Sequence, residues 1–296
     1  MIAKVSNSAR KNGIRRKSLG PIPFVCIRMG SGSFTYNSIN QQFRWEIQKG
    51  DNTYMANTIK LGSLYLDNRP IETGTQYVPG QAIKIGDTIT DKEISWVVVN
   101  GVLISDRCIL TNVSWDELNT NELVFGKDIT IDGYRYQVRL LKVGIELSQP
   151  NEWDAAVTFV GESNNLWHWE NMFFWGQEAL LIRQKFNHAC RGYYMARTLN
   201  FMLPSDRYPC LGFRPVLVPL PTELLITDLI GQRLMLWSSQ NIVYGCLDQV
   251  SDYDVVLSDW IGTVLGEPRF GQNIANGKLV VNRDPITGIQ IQTIPT

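Results

Sequence analysis

The dipeptide Asn100-Gly101 stands between the run Trp96-Val97-Val98-Val99 and the run Val102-Leu103-Ile104. Asn-Gly readily takes positive φ at both central positions of a two-residue turn, so this spacing predicts an antiparallel hairpin. Asp132-Gly133 repeats the signal between residues 129–131 and 136–141. Residues 24–29, 42–47 and 94–99 alternate or are β-branched, as strands do. Lys49-Gly50-Asp51-Asn52, Pro79-Gly80 and Gly86-Asp87 supply turn chemistry between them. Helix signals are few. Ser114 is a candidate N-cap for a short helix over 114–119, and Pro150-Asn151-Glu152-Trp153-Asp154 starts a second with acids in its first turn. Residues 171–184 are expected to add a third short helical stretch. The expected fold class is therefore α+β and β-rich.

Pro219-Leu220-Pro221 breaks the chain at a domain boundary. Short apolar runs follow at 224–228, 232–237, 242–247, 255–257 and 278–282, separated by Gly and Asp/Asn/Ser turns. About 75 residues of such pieces suggest a small β-barrel. The chain has 296 residues, with 44% hydrophobic and 19% charged, which is the composition of an ordered protein. No apolar run approaches the roughly 18–20 residues of a membrane helix, and no apolar signal segment follows the basic N-terminus.

The formal net charge is zero, but it is unevenly spread. Lys4, Arg10, Lys11, Arg15, Arg16 and Lys17 stand in the first 20 residues with no acid, which leaves 22 basic against 28 acidic residues in the rest. This arm, over 1–21, is expected to order only against a partner such as another subunit. The overall balance and the lack of interleaved aromatics argue against nucleic acid.

The cysteines Cys26, Cys108, Cys190, Cys210 and Cys246 are odd in number and form no CxxC pair, as expected of buried free thiols. His168 and His188 are the only imidazoles, so a multi-histidine metal site is excluded. Loops of the DxDxDG type, GxGxxG, GxxxxGK[ST] and HExxH are absent, and no metal or cofactor is expected. Gln149-Pro150-Asn151 beside Trp153-Asp154 resembles the calcium-binding triplets of sugar-binding lectins, but helix capping explains Asn151 and Asp154 more simply. Residues 166–175 hold three Trp and two Phe. Most of these rings are expected in a core, with Trp167 or His168 exposed. Arg191, Arg197 and Arg214 sit in apolar strand-like sequence and must find acids or carbonyls that fix loops.

From about residue 84 to 218 the chain resembles a domain common in phages and prophages of Gram-positive bacteria. That domain is the formylglycine-generating-enzyme-like branch of the C-type lectin fold. The pieces that carry the resemblance begin with Ile85-Gly86-Asp87, Trp96-Val97-Val98-Val99 and Asp106-Arg107-Cys108-Ile109-Leu110. Residues 113–119, Val124-Phe125-Gly126-Lys127, Ile131-Asp132-Gly133 and Arg139-Leu140-Leu141 follow, then Asn151-Glu152-Trp153-Asp154 and Leu166-Trp167-His168-Trp169. Arg191-Gly192, Ala196-Arg197 and Gly212-Phe213-Arg214-Pro215 complete the series.

The resemblance implies a compact domain over 84–219 whose ends meet in one sheet, closed by the Gly-Phe-Arg-Pro strand. It places ligand residues in the window before that strand, here Tyr193, Tyr194, Asn200, Ser205, Asp206, Arg207 and Tyr208, with Trp167 as an aromatic neighbour. The family's enzymes use a reactive cysteine pair. Cys190 and Cys210 do not match its motif, so the expectation is a non-enzymatic domain, with a formylglycine-generating-type enzyme using Cys190 or Cys210 as the alternative. The tail resembles, more weakly, an Sm-like small barrel, through residues 229–234, 245–247 and 253–257.

These readings together predict four regions. They are the basic arm over 1–21, a β-rich anchoring segment over 22–83, the lectin-like domain over 84–219 and the small barrel over 220–296. The expected function is a bacteriophage virion structural protein, a capsid decoration, head-fibre or tail protein. It would dock on other virion subunits and on copies of itself, and bind a host-surface glycan or protein. A purely structural assembly protein without a ligand is the remaining alternative.

Overall fold

A computed structural model describes residues 57–222, 226–264 and 270–293, all within one compact unit, Gly50–Thr296. The basic arm with Arg10, Lys11, Arg15, Arg16 and Lys17, the strands expected at 24–29 and 42–47, and Cys26 lie outside the described residues.

The architecture is β-rich, with three sheets and three short α-helices among the described residues. In the first sheet the order is Arg69–Ile71, Thr58–Leu66, Glu93–Val99, Val102–Ser105, Pro215–Pro219, Tyr134–Leu140 and Lys127–Ile131, with Ile83–Gly86 also paired to Thr58–Leu66. Its pairs are all antiparallel. Asn100 and Gly101 take φ of 52° and 77°, and Asp132 and Gly133 take 52° and 83°. Both expected hairpins form for the reason given by their turns.

The second sheet runs Leu199–Met202, Lys185–Gly192, Phe173–Ile182, Leu211–Phe213, Leu110–Thr111 and Thr75–Gln76. Residues 171–184 were expected to be helical, and this is corrected: Phe173–Ile182 is a central strand. Phe173, Phe174, Trp175 and Gly176 are buried in succession, as in a strand covered on both faces. Tertiary pairing overrides the helix-forming tendency of Gln177-Glu178-Ala179-Leu180-Leu181.

The helices are α1 (Trp115–Thr120), α2 (Glu152–Val160) and α3 (Asn164–Trp167). Ser114 caps α1 in a capping box with Glu117. Asn151 caps α2 by accepting from the Asp154 amide, and the Asp154 carboxylate accepts from the Asn151 side-chain amide and from Arg191.

The domain boundary expected at residue 84 falls inside a sheet, because Thr58–Leu66 pairs with both Ile83–Gly86 and Glu93–Val99. Packing also continues past residue 220. Tyr136 and Tyr244 hydroxyls meet at 2.9 Å, and Met235, Trp237, Ile242 and Tyr244 share a core with the first sheet. The third sheet is antiparallel and curled, ordered Gly271–Ile274, Lys278–Asn282, Asp254–Thr263, Ile242–Val250, Arg233–Trp237 and Gly288–Ile291. The expected barrel is thus an open ladder among the described residues: its first and last strands do not pair with each other. Of the run expected at 224–228, residues 226–228 belong to a 3₁₀ turn, Ile226–Leu229, and residues 224 and 225 lie outside the described residues. No helix among the described residues is long and apolar enough to cross a membrane.

The chain passes from the second sheet to the first at Arg214, between Leu211–Phe213 and Pro215–Pro219. At Gly212 a Cβ would stand 2.4 Å from the Leu110 carbonyl oxygen on the paired strand. Gly212→Ala is expected to lose about 1–3 kcal/mol of stability, since backbone must move to admit one methyl. A lower urea midpoint at an unchanged m-value would show it.

Candidate functional site

The window expected to hold ligand residues begins in the turn that joins Lys185–Gly192 to Leu199–Met202. Gly192 has φ 99°, and a Cβ there would lie 2.5 Å from the Met172 carbonyl oxygen. Tyr193 follows with φ 77°, a costly conformation for a bulky side chain. Its neighbours hold it there. The Tyr193 amide donates to the Trp169 and Met172 carbonyls at 2.9 and 3.1 Å, and its carbonyl accepts from the Asn171 amide at 2.9 Å.

The rest of the turn is pinned from below. Ala196 is buried, and the Trp153 indole donates to its carbonyl at 2.7 Å. Arg191 is fully buried and donates to the carbonyls of Arg197 at 2.8 Å and Val143 at 3.0 Å, and to Asp154 at 3.2 Å. Arg197 reaches Glu162 at 3.2 Å and Asp154 at 3.4 Å. Backbone bonds from Gly192 to Thr198 and from Thr198 to Met195 close the loop at 3.1 and 3.0 Å.

Above this base the turn presents side chains to solvent. Tyr194 is 70% exposed and Met195 60%. The Tyr193 ring stacks on Phe173 at 4.8 Å and meets Tyr194 edge-on at 4.7 Å. The result is an aromatic step whose outer ring is open and whose inner ring is anchored in the core. Tyr208 is half-buried and packs on the same core cluster as Tyr193, while Asn200 sits opposite Cys190 in the sheet. Asn200 is turned to local use, its Oδ1 accepting from the Phe201 amide at 2.8 Å.

Two of the expected ligand residues are committed elsewhere. Trp167 or His168 was expected to be exposed, and Trp167 is fully buried; its indole donates to the Gly161 carbonyl and its ring meets Trp153 edge-on at 5.0 Å. Of that pair only His168 reaches the surface, with a side chain 38% exposed. Arg207 forks onto Glu117 at 2.8 and 2.9 Å. Burial would raise the Glu117 carboxyl, but the Arg207 fork and the Ser114 bonds outweigh it and hold it below its ordinary value. Asp206 serves its own turn, accepting from the Leu203 amide at 3.0 Å, and Ser205 is exposed. Met195 is the residue that sequence reading missed; its cue was its place beside two tyrosines just after a glycine.

Arg214 bears out the expectation that it fixes loops. It is fully buried, donates to the carbonyls of Ser105, Asp106 and Trp167, and lies over the Trp153 and Phe174 rings at 5.2 and 4.7 Å. Such ring faces favour a desolvated cation.

Among the described thiols, Cys108 and Cys190 are free and buried, Cys210 is buried, and Cys246 is partly exposed. Burial pushes the Cys190 thiol up, and it pushes Cys108 up to about 11 against the opposing pull of Arg214. A reactive cysteine needs the reverse, an accessible and stabilised thiolate. No family model, no curated protein and no solved structure matches this chain.

In the native protein Cys190 and Cys108 are expected to stay unmodified by iodoacetamide at pH 8, while Cys246 labels and the denatured chain labels throughout. Rapid native modification of Cys190, read by peptide mass spectrometry, would return it to the list of candidate nucleophiles.

Proposed function

We propose that this chain is a bacteriophage virion structural protein that displays a lectin-like binding domain, and that the turn 193–198 is its contact surface for a host-surface glycan or protein. The observation that carries the reading is the clamped aromatic step. Tyr193 is held at φ 77° while Tyr194 and Met195 stand open to solvent. Exposed, pre-ordered aromatics give large contact area for little loss of entropy on binding. Strain that the surroundings over-determine is a mark of such surfaces.

Three features support the lectin-like part of the proposal. The hairpin over 93–105 pairs with Pro215–Pro219 in one sheet, the chain between them carries the aromatic turn 193–198, and the motif order along 84–218 resembles the phage family. Docking on other virion subunits falls to the basic arm and the flanking β segments in this reading.

The test has two arms. Mass spectrometry of density-purified particles is expected to recover the chain in stoichiometric amount. Tyr194→Ala is expected to weaken binding of the purified protein to Gram-positive host cells about tenfold or more, with its melting temperature unchanged. Absence from particles would overturn the virion assignment. Undiminished cell binding by the variant would overturn the turn as the contact.

A further inference from the structure

The strands Phe173–Ile182 and Lys185–Gly192 outrun their sheet. Their third partner, Leu199–Met202, pairs only from Arg191 to His188, and Leu211–Phe213 pairs only at Phe173 and Phe174. Beyond these limits the pairs Leu180–Asn187, Leu181–Phe186 and Ile182–Lys185 form a two-stranded ribbon, closed by Arg183 and Gln184 at φ 48° and 66°. A lone two-stranded ribbon gains little stability in water, and this one spends large apolar side chains on solvent. Leu181 is 59% exposed and Phe186, directly opposite, 65%.

Those two side chains share a face with Ala179 and His188, because alternate residues of a strand point the same way. The face continues onto α1. His188 stacks on Trp115 with ring centroids 3.7 Å apart, and Phe125, 65% exposed, meets Trp115 edge-on at 5.9 Å. The His188 Nδ1 is buried and makes no hydrogen bond.

Charge divides this strip. At the ribbon tip stand Arg183 and Lys185, both exposed, and neither forms an ion pair among the described residues. At the other end, next to Trp115 and close to His188, stands Asp116, exposed and likewise without an ion pair. An apolar middle with a basic end and an acidic end complements itself when a second copy is laid on it the other way round. That is the requirement of an isologous two-fold contact.

We infer that the ribbon face, from Arg183 and Lys185 through Leu181 and Phe186 to Asp116, is a self-association surface. It takes a second copy of this chain in antiparallel orientation. The basic tip of each copy then faces Asp116 of the other, while Leu181 and Phe186 of both fill the centre. The inference goes beyond the proposed function and stands independently of what the turn 193–198 binds.

Sedimentation velocity of the full chain at about 100 µM is the test. The wild type is expected to sediment at twice the mass of one chain. Leu181→Asp/Phe186→Asp is expected to be monomeric with an unchanged melting temperature. Should that variant fold poorly, the exposed tip change Arg183→Glu/Lys185→Glu serves in its place, and it is expected to weaken the dimer at least about tenfold. Adding Asp116→Lys to the tip variant is expected to restore it, a rescue that a merely stabilising role would not give. A monomeric wild type, or a dimer that withstands both the apolar and the tip changes, overturns the inference. So does a monomer that is held through its ribbon only by a different virion protein.

Discussion

Two fully buried guanidinium groups, Arg191 and Arg214, hold together what the sheets alone leave loose. A charge taken out of water costs several kcal/mol unless its donors are used. Here most of those donors go to backbone carbonyls, of Val143 and Arg197 in one case and of Ser105, Asp106 and Trp167 in the other. Most of these carbonyls belong to connections outside the strand ladders, and buried carbonyls need partners as surely as buried charges do. Each arginine thus solves both problems at once and ties loops far apart in sequence to one point.

The position of each arginine gives this its consequence. Arg214 lies where the chain leaves the second sheet for the first, so the junction of the two sheets is cross-linked by its bonds. Arg191 lies one residue before the Gly192-Tyr193 corner, so the aromatic turn is built on a fixed floor. Holding Tyr193 at positive φ costs free energy, which the surrounding hydrogen bonds and the Phe173 stack offset. The outward-facing Tyr194 and Met195 gain their fixed presentation from that arrangement rather than from contacts of their own.

Local chemistry was legible in the sequence wherever neighbouring residues decide the outcome. Asn100-Gly101 and Asp132-Gly133 dictate their hairpins, and Ser114 and Asn151 cap the helices that follow them. What depends on distant residues was not legible. Residues 171–184 carry helix formers, yet the buried Phe173–Trp175 run is claimed by strands on both sides. Which of Trp167 and His168 is exposed was not legible, because it is Trp153 and the Gly161 carbonyl that enclose Trp167. Arg207 looked available until Glu117 took its fork. Of the candidate site, Tyr193 and Tyr194 were named because the resemblance puts ligand residues in the window before the Gly-Phe-Arg-Pro strand, but the strain at Tyr193 was not legible, since it rests on carbonyls from Trp169 and Met172.

The central claim is that the aromatic turn is rigid before it meets any ligand. Amide hydrogen exchange of the free protein, resolved at Gly192, Tyr193 and Thr198, addresses it directly. These amides donate to Thr198, to Trp169 and Met172, and to Met195 respectively. The account predicts exchange at least about a hundredfold slower than in an unstructured chain, as for bonds broken only by cooperative opening. Exchange at the unstructured rate would mean a mobile turn and would contradict the claim.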